Sequence, residues 1–268
     1  MFIITLYPIS ASIMSTIIFP SPIYGPVRSR RLGLSLGINL LPGDGKICNF
    51  DCLYCEIGFN KDGFTRTKHP SRELVAEKLE RQLIKMHDAG EHPDVLTFAG
   101  NGEPTTHPHF AEIIADTVKL RDKWCPKAKI SVLSNATFTG RPAIRNALMT
   151  VDNNIQKLDT VDNDYIKRLD RPTQPSYDVN KVTEHLKLFN GHVIIQTMFL
   201  KGDGTDNTSD KYVLPWLDTL QAIKPESVMI YTIDRETPDQ ELRKATPAEL
   251  DRIKSMVEAT GIPCSAAY

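Results

Sequence analysis

Six times between residues 32 and 260, a short apolar run is followed by a longer stretch whose apolar residues fall three and four apart. That alternation constrains the fold more than any other feature. Strands separated by helix-length segments pair in parallel through crossovers. Strands are expected at 32–41, 94–100, 129–137, 153–159, 192–200 and 227–234, the run "HVIIQTMFL" being the plainest. Helices are expected at 71–88, 110–124, 141–149, 178–189, 209–223 and 247–260. In the first of these, Ser71 is the N-cap and Leu74, Leu79, Leu83 and Met86 share a face. In the last two, Pro215 interrupts the helix and Pro247 sits in the first turn. A closed barrel of this kind takes eight strands. The expected class is therefore α/β, a partial (β/α)6 barrel with parallel strands.

The chain of 268 residues is expected to divide into an apolar N-terminal extension, 1–24, and one core domain, 25–268, with a C-terminal strand–helix extension. The extension carries no charge before Arg28 and is broken by Pro8, Pro20 and Pro22. It has neither the basic start of a signal peptide nor the length of a membrane span. Met14 offers a second start, which would leave residues 1–13 outside the native protein. A net charge of -1 gives no overall pull toward nucleic acid or membrane, though it leaves room for a local basic patch. Five cysteines, three of them clustered, do not make a secreted disulfide framework and point to the cytoplasm.

Parallel sheets place their chemistry at the C-terminal ends of strands, and the unusual residues fall there. After the first strand comes "KICNFDCLYCEIG", with Cys48, Cys52 and Cys55 spaced C-x3-C-x2-C. A structural zinc site wants four protein ligands, and the nearest histidine, His69, lies fourteen residues past Cys55. Inert core cysteines would not gather in a loop with Asn49 and Asp51. Iron–sulfur clusters are held by thiolates. Three cysteines on a 4Fe–4S cluster leave one iron free for a small molecule bearing an amine and a carboxylate.

With "CNFDCLYC" in the first loop and "GNGEP" (100–104) after the second strand, the chain resembles the radical S-adenosylmethionine (radical SAM) superfamily over roughly residues 25–235. The resemblance implies an iron–sulfur enzyme of oxidoreductase type. Its cofactors would be a 4Fe–4S cluster on Cys48, Cys52 and Cys55, and S-adenosylmethionine. The reduced cluster would split S-adenosylmethionine into methionine and a 5′-deoxyadenosyl radical, which takes hydrogen from a substrate. It also implies an electron donor such as flavodoxin or ferredoxin.

By the same resemblance, Gly100, Asn101, Gly102 and Glu103 hold the methionine amino group. Asn101 stands where the family commonly has glycine. Ser134 and Asn135 are expected at the ribose or the methionine carboxylate, with Asp159 and Gln196 as further cofactor contacts and Tyr54 beside the adenine. Each has a plainer reading: a capping residue, a satisfied core amide, or a packed ring.

"GPVRSRRLGLSLGINLLP", "RLDRP" (168–172) and "IYTIDRETP" (230–238) resemble a branch related to the wyosine-type tRNA base-modifying synthases. Arg28, Arg30, Arg31 and Lys46 would then form a phosphate-binding rim, or else a solvated loop paired with acids. Tyr231 and Arg235 would meet the substrate. Those synthases carry additional cysteines, absent here, and Cys125 and Cys264 stand alone. The substrate stays open between a tRNA base and a protein. The competing functions are an activating enzyme for a glycyl-radical partner and a non-catalytic iron–sulfur or zinc protein.

Overall fold

The computed structural model describes residues 18–29, 33–60, 67–202 and 204–268. Arg30, Arg31, the second start at Met14 and most of the expected extension lie outside these residues.

The six anticipated parallel strands are present, as β2 (Gly33–Ile38), β3 (Val95–Phe98), β4 (Lys129–Ser134), β5 (Asn153–Lys157), β6 (Ile194–Met198) and β9 (Ser227–Tyr231). Two further strands extend them into an eight-stranded sheet ordered β1-β2-β3-β4-β5-β6-β9-β11. One is β1 (Ile23–Ser29), antiparallel to β2. The other is β11 (Cys264–Ala267), parallel to β9. Neither was expected: β1 holds Pro26 and a left-handed Gly25, and β11 is "CSAA", with little β-branched content. The sheet is open, with β1 at one edge and β11 at the other.

Helices α1 (Arg72–Asp88), α2 (Phe110–Trp124), α3 (Pro142–Leu148), α4 (Asn163–Leu169), α5 (Val179–Lys187), α6 (Asp210–Ile223) and α7 (Pro247–Ala259) connect the strands. Ser71 caps α1 by accepting from the Leu74 N–H at 3.2 Å. The buried face begins at Val75, not at Leu74, which is exposed, because 75, 79, 83 and 86 keep one helical stripe. Helix α6 runs through Pro215 without a break and ends at left-handed Lys224. The short α4 was not expected; Asp162 starts it by accepting from the N–H groups of Asp164 and Tyr165.

The main core lies between sheet and helices, with Leu36, Ile38, Leu96, Phe98, Ile130, Val132, Ile195 and Val228 on the strands. A second apolar cluster joins Phe50, Leu53 and Tyr54 to Tyr165, Leu169, Met198, Leu200 and Ile233 on the inward side. A small sheet of β7 (Leu200–Gly202), β8 (Thr205–Asp206) and β10 (Arg243–Lys244) lies beyond β6. Among the described residues no helix is long and apolar enough to cross a membrane.

Candidate active site

The cysteine loop follows β2 and is gripped from two sides. On one side the Ile47 N–H donates to the Asn101 carbonyl at 2.9 Å and the Glu103 N–H to the Ile47 carbonyl at 3.2 Å. On the other, Leu53 N–H reaches the Leu169 carbonyl, Asp51 N–H the Asp170 carbonyl and Thr173 N–H the Asn49 carbonyl, each at 2.9 Å. "RLDRP" is thus the bed of this loop. Arg171 adds an ion pair to Asp51 at 2.9 Å.

Lys46 was expected on a basic rim, and the structure corrects this. Its side chain is 2% exposed, donates to the Gly58 carbonyl at 2.8 Å and pairs with Asp51 at 3.6 Å. Burial opposes its charge, but the attraction of Cys55, Cys48 and Cys52 in their thiolate form, with that of Asp51, outweighs it and holds the ammonium above its ordinary range. It is an internal cation beneath three sulfurs.

The three thiols are free; Cys52 is buried and Cys48 and Cys55 half-buried. Burial, with the Glu103 charge second, pushes Cys48 up to about 12, and burial raises Cys52 well above its ordinary value. Iron binding to such thiols displaces protons that water would not readily take. The Phe50 N–H donates to Cys48 Sγ at 3.4 Å and the Asn135 amide lies 3.9 Å from it. Among the described residues, no three His, Cys, Asp or Glu converge to hold a single metal ion.

The polar surroundings fit a cofactor. Asn49 Nδ2 and Thr137 Oγ1 are buried and have no hydrogen-bond partner within the protein. Asn135 ties them together: its Nδ2 donates to Asn49 Oδ1 at 2.6 Å, and its Oδ1 accepts from the Thr137 N–H at 3.2 Å. Orphaned polar atoms are costly, so a polar ligand at the end of β4, beside Cys48, would satisfy them.

In the glycine turn, Gly102 has φ 136° and a Cβ there would come within 1.8 Å of the Ile47 carbonyl oxygen. Backbone approaches backbone so closely that no side chain fits. Glu103 is buried and its carboxylate is engaged, accepting from Thr105 N–H at 3.0 Å and Asn135 N–H at 2.7 Å. Burial raises its pKa despite these bonds. Asn101 turns its amide away from the cysteines, bonding Phe19 and Pro42. Gly100 stands against Asn39, whose Oδ1 would lie 2.6 Å from an added Cβ. Ser134 accepts from the Ala136 N–H at 3.1 Å, shaping the turn after β4.

Below the loop lies a buried ionic group that sequence reasoning missed. Lys157 pairs with Asp159 at 2.8 Å and Asp170 at 3.9 Å, and its ammonium stands 4.3 Å over the Tyr54 ring. The Tyr54 hydroxyl donates to Asp159 and lies 3.2 Å from Asp170 Oδ1. Burial pushes Asp170 up to about 8, the Asp159 charge adding to it. Asp159 also accepts from the Met198 N–H at 2.9 Å. The available signal was alternation: Asn153, Ile155 and Lys157 share the inward face of β5. Gln196, opposite Lys157 in the register, is half-buried on the same inward face as Met198.

A cavity of about 530 Å³ opens above Tyr54, between the two sheet edges. Tyr24 and Arg28 of β1, Tyr231 at the end of β9, Arg235 past it, and Tyr268 after β11 line it. Arg235 pairs with Glu56 at 2.7 Å, while Arg28 forms no ion pair among the described residues.

Comparison with known proteins agrees with this geometry. A model of the Radical SAM superfamily matches residues 44–208. A UPF0026 protein of Helicobacter pylori is 32% identical over 80% of this chain and 66% of its own length. One from Synechocystis is 31% identical over 83% and 78%. A GTPase Obg of Brachyspira hyodysenteriae is 27% identical over 88% of this chain, which spans only 33% of that protein. Among solved structures, a radical SAM methyltransferase from Sphaerobacter thermophilus superposes with TM-score 0.66 at 16% identity, covering 87% of this chain and 66% of that one. Streptococcus suis SuiB bound to S-adenosylmethionine gives 0.62 at 16%, covering 86% and 50%. TYW1 with a lysine-pyruvate adduct gives 0.58 at 14%, covering 84% and 73%. At such identities the structural likeness is one of fold.

Proposed function

We propose that this chain, which belongs to the radical SAM superfamily, cleaves S-adenosylmethionine reductively and passes the radical to a substrate seated between β1 and β11. The superfamily's cofactors are a 4Fe–4S cluster and S-adenosylmethionine, and SuiB is seen with the latter bound. When bound, the reduced cluster would supply one electron to the sulfonium of S-adenosylmethionine, breaking a carbon–sulfur bond to give methionine and a 5′-deoxyadenosyl radical that would take a hydrogen atom from the substrate.

The observation that carries this is the meeting of the three-cysteine loop with the glycine turn, through the Ile47–Asn101 and Glu103–Ile47 hydrogen bonds. Cys48, Cys52 and Cys55 would each hold one iron. Lys46 supplies a buried positive charge against the thiolates. The backbone of Gly100–Glu103 would face the methionine amino group, with Ser134, Asn135 and the orphaned Asn49 amide turned to its carboxylate or the ribose. Tyr54 is oriented by Lys157, Asp159 and Asp170 and forms part of the cavity floor. Its role, with Asp159, is to hold the loop against β5, and Gln196 faces the same interior.

For the substrate we favour a nucleic-acid base. The support is a cavity that combines tyrosine rings for stacking with Arg28 and Arg235 for phosphate. An electron donor such as flavodoxin or ferredoxin, and a reducing cytoplasm, fit the free thiols. The test is anaerobic reconstitution with iron and sulfide, reduction with S-adenosylmethionine present, and chromatography for 5′-deoxyadenosine. The native protein should form it and a Cys48, Cys52 and Cys55→Ala variant should not. Bound but uncleaved cofactor, with candidate tRNA present, would count against the reading.

A further inference from the structure

The glycine turn does more than face the cysteine loop. Asn101, where the superfamily resemblance leads one to expect glycine, is fully buried. Its amide behaves like a peptide group toward Phe19: Oδ1 accepts from the Phe19 N–H at 2.9 Å and Nδ2 donates to the Phe19 carbonyl at 2.9 Å. Nδ2 also donates to the Pro42 carbonyl at 2.8 Å. The amide is thereby fully used within the protein.

Asn39 backs this arrangement. Its Oδ1 accepts from the Asn101 N–H at 3.2 Å, its Nδ2 donates to Phe19 and Pro20 carbonyls at 3.3 and 3.4 Å, and its carbonyl accepts from the Ser21 hydroxyl at 3.1 Å. The segment so fastened is a wall of the cavity. Phe19 stacks on Tyr24 with ring centroids 4.6 Å apart, both rings line the cavity, and Tyr24 covers Gly37 of β2. On its other side Asn101 holds Ile47, next to Cys48, through its carbonyl.

We infer that Asn101 is a positioning residue that couples the cofactor turn to the cavity wall, so that binding of S-adenosylmethionine at residues 100–104 orders residues 19–24. The inference rests on the proposed cofactor role of that turn. Alternative residues cannot make this link. Glycine has no amide, aspartate lacks the donor for two carbonyls, and alanine would take this partner from the Phe19 N–H and the Pro42 carbonyl, leaving the Phe19 carbonyl to Asn39 alone. Any ligand that stabilises the turn must, by linkage, stabilise what the turn holds.

The test is hydrogen exchange by mass spectrometry on the full chain, reconstituted anaerobically, with and without saturating S-adenosylmethionine. Equilibrium dialysis of labelled S-adenosylmethionine runs on the same samples. In the native protein the cofactor should slow exchange of the amides that this segment carries, those of Phe19, Ser21, Ile23 and Tyr24, by about tenfold. In Asn101→Gly that response should fall below about twofold, with faster exchange even without cofactor. Asn101→Asp, which keeps only the acceptor, should lie between the two. A merely structural role would change basal exchange and leave the response to cofactor intact. An undiminished response in Asn101→Gly overturns the inference. So does native protein that binds the cofactor while exchange at 19–24 stays unchanged, a result that does not depend on any variant folding. Failure of the native protein to bind at all would overturn the cofactor reading itself, and dialysis separates that case.

Discussion

Arg171 meets Asp51 at 2.9 Å although 120 residues separate them in the chain. The pair fastens the "RLDRP" segment to the cysteine loop, and Arg171 adopts a left-handed backbone, φ 48°, to do so. The guanidinium is 37% exposed, so the pair contributes no more than about 1 kcal/mol. Arg171→Ala should therefore shorten the lifetime of a reconstituted cluster against a chelator by roughly threefold to fivefold. Arg171→Gly should lose less, since glycine relieves the left-handed backbone. Equal lifetimes for all three proteins would show that the pair does not hold the loop.

Gly102→Ala should be far more damaging. The added Cβ falls within 1.8 Å of the Ile47 carbonyl oxygen, where only backbone movement can make room. Strain of at least about 1–3 kcal/mol is expected, concentrated where the two motifs meet. Iron and sulfide content after reconstitution should drop well below native while circular dichroism stays near native. A fully loaded cluster in the variant would contradict the packing described.

Lys157→Met removes the cation from a buried pair of acids. Asp159 and Asp170 would then be left together without it, a loss of about 3–5 kcal/mol in urea denaturation of the cluster-free chain. Lys157→Arg, which keeps the charge, should lose less. A Met variant as stable as native would mean that the carboxylates are already neutral.

Away from the site, Glu249 reports on acid stability. Burial pushes its pKa up, but hydrogen bonds from Lys201 and from the Thr246 backbone and side chain outweigh that and bring it down to about 2. A depressed carboxylate stabilises the fold above its unfolded value near 4.5, and that stabilisation is lost as pH falls toward 2. Glu249→Gln should cost about 1–2 kcal/mol at pH 6, and the difference from native should shrink below pH 4. A difference unchanged with pH would assign the loss to packing.

Much of this was legible in the sequence because each signal was local. The six parallel strands follow from period and spacing, and Pro247 stands in the first turn of α7 as its place in the sequence led one to expect. Two edge strands were not legible, since "IYGPVRS" and "CSAA" gain their pairing only from neighbours already in place. The cysteines and the glycine turn stood out as motifs. The partners that set their geometry did not: Asp170 and Arg171 lie more than 110 residues from Tyr54 and Asp51, so only the folded chain brings them together. Lys46 was misplaced for a related reason. A lysine in a loop is usually solvated, and burial here depends on Asp51 and three sulfurs arranged around it.

The central claim is that three thiolates from one loop leave a coordination place that S-adenosylmethionine takes. Electron–nuclear double resonance on the reduced, reconstituted protein tests it directly, with S-adenosylmethionine labelled with nitrogen-15 at the amino group. The account predicts a hyperfine coupling from the label in the native protein. A cluster signal unaffected by the labelled cofactor at saturation would contradict it.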